Sequence, residues 1–586
     1  MNASSSPTRR DEGPQLGRLG DPRGSPGASH RKLTVVTAVA FPGPIPIPIS
    51  ESRLGGGSTG HDDRNRGKAW PTYPGWAGPT PKALAAATAY PTYFDTSPLN
   101  PPSSLMPESE TKSDHRAFNL LNHLGNLSPW RSVSHGLGTS AQIPSQCSVK
   151  QVQLLHRHGA RYPTSGSGPA DIQKLVHQPG FKAHGKLAFL NDWKYPLGAE
   201  ILTPFGRGQL FALGVKYREM YGQLLDALPL EHPSRTHATG SNRMPPTATR
   251  TNRTRLLFRT ETQDRMTKSS LNFAAGFFGI PEYETDFDLL PMIEWPGFNC
   301  TLSPYMTCPN AADPKLTVGK QKMDEWSNIY LAEAVKRMQG LVEGVEIKTS
   351  DALNAQMLCA YELVALGASS FCEPFTQDEW LGFDHLHDIA FWYMYSFGQP
   401  AQAALGLGWV QEWLARVILE PISSYNSTVN SSYPLPLDQA IYVDATHDTV
   451  ISSIITTLDF STFAADGPPP STHIPKKAFA ASSISPFAAN LHSQIVECPS
   501  DFLSPSSGLT TSSEKALFVR WVLNDGIVPL QHSECTRNDY GFCELDAYIE
   551  LTKRRINSID WSHDCLADYE LGHDPILDGR PTSGRR

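Results

Sequence analysis

The chain lacks any run approaching the roughly 18 consecutive apolar residues that a membrane-spanning helix needs. Basic residues are not in excess either. Its 50 Lys and Arg stand against 58 Asp and Glu, a formal charge of −8, which argues against nucleic acid as a partner. None of the nine cysteines falls in a C-x-x-C pair and no H-E-x-x-H occurs, so the common zinc spacings are missing. Charged residues are only 18% of the chain beside 39% hydrophobic ones, which excludes a coiled coil and a chain disordered throughout. A secretory leader is missing at Met1. The nearest apolar run, Leu33 to Phe41 behind Arg31-Lys32, starts more than 30 residues late; it is either a chance patch or a signal displaced from a doubtful start site.

What is present is room for more than one domain and a large core in 586 residues. Nine cysteines are many for a cytosolic enzyme and point to disulfides in an oxidising compartment, the odd count leaving one unpaired within the chain. Six N-x-S/T sequons, at Asn2, Asn126, Asn252, Asn299, Asn426 and Asn430, agree with secretion, and the Ser/Thr-rich surroundings of Asn426 and Asn430 read as an exposed loop. Residues 1–110 read as a disordered or extended region: Pro and Gly make up 24 of the first 80 residues, too many to bury an apolar core.

Globular patterning starts near Phe118. Residues 148–155 alternate and then turn apolar, as in a strand entering a buried sheet. Thr203-Pro204 reads as a helix N-cap followed by proline at the first helical position. Leu256-Leu257-Phe258 is a second short strand, followed by an amphipathic run from Arg265 to Phe278. Residues 281–424 are patterned as helices, including one from Trp326 to Met338 and another over Trp409 to Ile418. Strand pattern returns at Ala440 to Val443, and Lys515 to Leu530 reads as a hairpin around Asn524-Asp525-Gly526. The expected organisation is an α/β domain from 111–280 and 425–575, a mostly helical insertion at 281–424, and a basic low-complexity insertion at 232–255. That last stretch has five Arg and no acidic residue, and is either a basic loop attracting anions or translated intron.

The chemistry concentrates in two places. The first strand runs into Arg157-His158-Gly159-Ala160-Arg161, at the end of a strand where open α/β folds place ligands. Two guanidinium forks around one imidazole suit a phosphate monoester: the arginines bind phosphoryl oxygens bidentately, and the imidazole can attack phosphorus. Gly159 would let the backbone approach the ligand. Such a nucleophile needs an acid for the leaving alcohol. Five His-Asp dipeptides occur, but only His447-Asp448 follows a strand pattern and opens a helical one, which would put it beside Arg157-His158. Gly180 to Leu187 has P-loop spacing but carries Leu187 where the magnesium-binding Ser/Thr belongs.

These motifs, with Leu124-Gly125-Asn126-Leu127-Ser128-Pro129-Trp130 upstream and Phe258-Arg259 to Arg265-Met266 downstream, resemble the histidine acid phosphatases, in their fungal phytase-like branch. The resemblance spans about residues 112–570. It implies a phosphoglycerate mutase-like α/β/α sandwich with an inserted smaller helical domain, and a metal-independent phosphomonoesterase without cofactor. It further implies His158 as nucleophile, Arg157, Arg161, Arg259 and His447 as phosphate ligands, and Asp448 as proton donor, with Arg265 structural. The mutase branch continues its R-H-G with Glu, where this chain has Ala160-Arg161, so hydrolysis is the expected chemistry. Phytate is the expected substrate, with a broad acid phosphatase or a non-catalytic phosphate binder as alternatives. Cys535–Cys543 resembles the family's C-terminal disulfide; Cys359–Cys372, Cys147–Cys498, and Cys565 with either Cys300 or Cys308 complete the expected pairing.

Overall fold

The computed structural model describes residues 118–135, 137, 141–226, 255–424, 426, 435–476, 479–503, 513–535, 538–572 and 574–582. The expectations for 1–110, for 232–254 and for Asn2, Asn252 and Asn430 lie outside them. Ten strands occur among the described residues: β1 (Ser148–Arg157), β2 (Lys182–Ala183), β3 (Leu256–Glu261), β4 (Phe287–Met292), β5 (Val342–Glu343), β6 (Ile441–Thr446), β7 (Asn490–Pro499), β8 (Lys515–Leu523), β9 (Gly526–Ile527) and β10 (Cys543–Glu544). Eight form one mixed sheet in the order β10-β8-β7-β1-β6-β3-β4, with β9 paired to β8, while β2 and β5 pair separately.

β1 is central because both its faces are apolar or internally bonded. It runs parallel to β6 and antiparallel to β7. Period-two alternation sends Val152 and Leu154 to one side, where they meet Leu210, Tyr217 and Phe273 of the helices Pro204–Tyr221 and Asp264–Phe278. Leu155 goes to the other side, against Trp409 and Trp413 of the helix Gln402–Ile418 and Ile451 and Ile454 of the helix Asp448–Thr457. Helices thus cover both faces, giving the α/β/α sandwich. Each of the buried tryptophans Trp409, Trp413 and Trp521 contributes roughly 4–6 kcal/mol of transfer free energy before entropy is charged against it.

The local signals behave as their chemistry dictates. Thr203 caps the 204–221 helix, its Oγ1 accepting the Gly206 N–H at 3.0 Å. Asn524 and Asp525 take positive φ (46° and 71°) and turn β8 back into β9. The helix expected from Trp326 to Met338 is two, Gly319–Tyr330 and Ala332–Gln339. Leu331, between them, keeps right-handed dihedrals (φ −93°, ψ −3°) and is fully buried in the core that residues 120–197 share with 331–383. The helix 402–418, by contrast, lies on the sheet.

The disulfides are Cys147–Cys498, Cys308–Cys565, Cys359–Cys372 and Cys535–Cys543, leaving Cys300 free and buried. Cys565 therefore takes Cys308. Asn426 does not sit in an exposed loop: it is buried, and its Nδ2 donates to the Gly408 carbonyl (2.9 Å) and to Gln411 Oε1 (3.1 Å).

Candidate active site

The register of β1 on β6 pairs Arg157 with Thr446, so His158 and His447 leave the sheet side by side at the same edge. Their rings are 5.5 Å apart in an edge-to-face arrangement. The turn carrying His158 is tied down at every residue. The His158 carbonyl accepts the Ala488 N–H (2.9 Å), the Gly159 N–H reaches Ser269 Oγ (3.2 Å), and the Ala160 N–H reaches Gln209 Oε1 (2.9 Å). Gly159 is needed for packing. A Cβ there would lie 2.1 Å from the Gly206 carbonyl oxygen, on the first turn of the 204–221 helix.

His158 is buried, and its Nδ1 lies 2.8 Å from the Gly159 carbonyl, so that nitrogen carries the proton and Nε2 keeps its lone pair. Burial, and then the charges of Arg157, Arg265, Arg161 and His447, hold the imidazole well below its usual range, so it is neutral in acid. Arg157 is fully buried beneath it. Its Nη1 donates to the carbonyls of Asn126 and Ser485, its guanidinium lies 4.5 Å over the Phe487 ring, and its Nη2 is 2.7 Å from Asp448 Oδ2. Asp448 is the first residue of the 448–457 helix and also accepts Asn126 Nδ2 at 2.7 Å. Burial alone would raise its pKa. Arg157, the Asn126 hydrogen bond, His447 and Arg161 outweigh that and hold the carboxyl below its usual value. Arg161 donates to the Tyr162 carbonyl (2.9 Å), and Arg265, in the first turn of the 264–278 helix, is held by Glu200 at 2.8 Å.

Arg259 is not among these groups, which corrects the expectation for it. On β3 it points to the opposite face from Phe258, toward the 402–418 helix. There its Nε and Nη2 grip Asp444 at 2.7 and 2.8 Å and Nη2 meets Glu412 at 2.7 Å. Arg416 and Trp409 Nε1 hold Asp444 as well, each at 2.9 Å. Arg259 is thus locked in a buried ion network under the sheet, and Arg265, six residues on, supplies the charge that reaches His158. Arg265, expected to be the structural arginine of the pair, is the one whose charge acts on His158.

On its far side His447 faces two acids. Its Nε2 lies 2.7 Å from Glu261 Oε2, at the end of β3, and 3.2 Å from Glu294 Oε2, just after β4. Glu294 also accepts Tyr305 Oη (2.7 Å) and Gln263 Nε2 (2.5 Å). Among the described residues this trio is where histidine and carboxylate atoms converge closely enough to hold a cation, within 4.8 Å of one another.

Residues 148–524 match the model of the histidine phosphatase superfamily (branch 2). The chain belongs to that family. Phytase A of Aspergillus oryzae is 27% identical over 453 residues, covering 74% of this chain and 89% of the relative. Phytase A of Aspergillus fumigatus is 29% identical over 445 residues, covering 73% and 86%. The crystal structure of the phytase from D. castellii superposes with a TM-score of 0.60 over 79% of this chain and 92% of its own, at 23% identity, a likeness of fold.

Within this histidine phosphatase the structure brings together His158, Arg157, Arg161, His447 and Asp448, and leaves Arg259 apart. Sequence reasoning missed Asn126, Glu261 and Glu294 as well as Arg265. Asn126 reads along the chain as a sequon within a quoted motif, and only the fold puts it on Asp448. The two acids end neighbouring parallel strands; the Glu261↔Met292 register that brings them together has no signature along the chain.

Proposed function

We propose that this histidine phosphatase hydrolyses phosphomonoesters in acid through a phosphohistidine. The observation that carries the reading is a buried His158 with Nδ1 tied to its own turn, set among the charges of Arg157, Arg161 and Arg265, with Asp448 paired to Arg157. The arginines and His447 would take the phosphoryl oxygens. His158 Nε2 attacks phosphorus, the P–O bond to the alcohol breaks, and Asp448, which the negative charge of the bound phosphate favours in its protonated form by offsetting Arg157 and Arg161, gives its proton to the departing oxygen. Asp448, now a carboxylate, then takes a proton from water as that water attacks the phosphohistidine. Inorganic phosphate leaves and His158 is restored. The relatives' name makes phytate the substrate to test first. Four disulfides support an extracellular or other oxidising location, and no helix among the described residues is long and apolar enough to cross a membrane.

Rapid-quench labelling with a phosphomonoester should put acid-labile phosphate on the wild type and none on His158→Ala. Label on a serine or aspartate would refute the mechanism. Comparable rates on phytate and an aryl phosphate support the phytase reading, whereas aryl phosphate turnover alone would make this a broad acid phosphatase.

A further inference from the structure

Glu261 and Glu294 take no part in the chemistry above, yet they are buried against a residue that does. Glu261 is fully buried and Glu294 is 3% exposed. Two carboxyls in contact in a water-excluded site cannot both ionise cheaply, so a pair of this kind retains one proton. The neighbouring elements supply few charges to offset a second anion. His447 comes from the end of β6 and Arg265 from the 264–278 helix, the latter already held by Glu200. Tyr305 and Cys300 are kept neutral by burial, the thiol being pushed up to about 11. Arg259, two residues back on the same face of β3, is committed to Asp444 and Glu412. Thr446 Oγ1 offers Glu261 Oε1 only a 3.3 Å hydrogen bond.

We propose that Glu261 and Glu294 hold one proton between them under His447, and that its release, by placing a second carboxylate charge beneath the phosphate pocket, limits substrate binding as the pH rises. The two acids are positioning residues. The ionised one balances His447, and the protonated one keeps the pocket floor from turning more negative. The division between them is set by their surroundings. Burial, then the charge of Glu294, raises Glu261 well above the usual carboxyl range. Glu294 resists burial through His447, through the hydrogen bond from Glu261 and through Arg265, and is held at about 2. A raised group stays protonated at low pH and loses its proton as pH climbs through its own value, so the added charge appears on the alkaline side. The proton also occupies the space in which the trio would otherwise take a cation, next to an arginine that repels one.

The inference rests on the phosphate pocket proposed above, and sulfate tests it without turnover, since that dianion keeps its charge across the range of interest. Sulfate affinity would be measured by calorimetry from about pH 4 to about pH 8 on the wild type and on Glu261→Gln, an isosteric side chain that cannot ionise. The wild type should lose affinity with rising pH, and Glu261→Gln should reduce that loss by about tenfold or more, whatever the substitution does to the absolute affinity. Superimposable pH profiles would overturn the proposal. Should Glu261→Gln fail to fold, Glu294→Gln decides: with one acid left no second carboxylate can form, so a sulfate pH profile flatter than that of the wild type supports the pair and a wild-type profile overturns it. Aryl phosphate turnover by the same wild-type preparation reports separately on the phosphatase reading.

Discussion

Replacing Arg259 and Arg265 one at a time, each by methionine, separates two arginines that look alike in the sequence. Arg259 bonds Asp444 twice and Glu412 once, all within 2.8 Å and all essentially without solvent. Without it, Asp444 keeps Arg416 and Trp409, but Glu412 is left with the Thr301 hydroxyl at 2.9 Å. Stranding one partner of a buried ion pair costs about 3–5 kcal/mol, because a desolvated carboxylate loses its counter-charge. Arg259→Met should therefore lose that much stability in urea titration, while the folded fraction keeps a turnover rate close to that of the wild type. Arg265 has the opposite ledger. Its ion pair is with Glu200, whose side chain is 11% exposed, so water can partly take over, and the stability loss should be about 1 kcal/mol. Its charge, however, acts on His158 and on whatever anion sits there. Arg265→Met should cost roughly 10²–10³-fold in kcat/KM, the size of effect seen when one preorganised donor to a transition-state charge is removed. The two assays, denaturant unfolding and steady-state kinetics with an aryl phosphate, are run on the same preparations. An Arg259→Met protein that unfolds like the wild type but has lost turnover, or an Arg265→Met protein with unimpaired kcat/KM, would refute the assignment of the two side chains.

Asp448→Asn should slow alkyl phosphates about 10²–10⁴-fold and aryl phosphates far less, since a phenolate leaves with little help; equal losses on both would remove Asp448 as the acid. Opening Cys147–Cys498, which closes a loop with a sequence separation of 351, should destabilise the protein by about 2–5 kcal/mol in thermal or urea unfolding. Opening Cys359–Cys372, with a separation of 13, should cost less; the reverse order would contradict the loop-entropy account.

The parts of the site legible along the chain are those whose chemistry and position are written in the same few residues. Arg157-His158 could be read because a strand pattern runs straight into it, and His447-Asp448 because a strand precedes it and a helix follows. Thr203-Pro204 and Asn524-Asp525 were readable for the same reason: each cap or turn is satisfied within its own segment. Arg259 was misread because its destination depends on which face of β3 the 402–418 helix covers, a long-range fact. The period of two decides only that it and Phe258 part company. The expected single helix from Trp326 to Met338 failed for a similar reason. Its apolar spacing is continuous, and nothing along the chain marks the break at Leu331. Asn426 lies in a stretch whose polarity suggested exposure, while its amide answers two acceptors on the 402–418 helix.

The central position of β1 has a consequence for the order in which the molecule can be made. Both its neighbours arrive late: β6 begins at Ile441 and β7 at Asn490, so 441 − 157 = 284 positions separate Arg157, the end of β1, from the first residue able to pair with the strand in the sheet. At roughly 5–20 residues per second of synthesis, this interval is on the order of 15–60 s. Through it an apolar strand has two open edges, the state most prone to pairing with another chain. The shared core of residues 120–197 and 331–383 involves no residue beyond 383 except Phe487, so that core can pack before β6 and β7 exist. His158 emerges early and waits for His447 and Asp448. A nascent chain interrupted before Asn490 would carry His158 on a strand with an exposed edge, and with the Cys147 thiol still lacking Cys498.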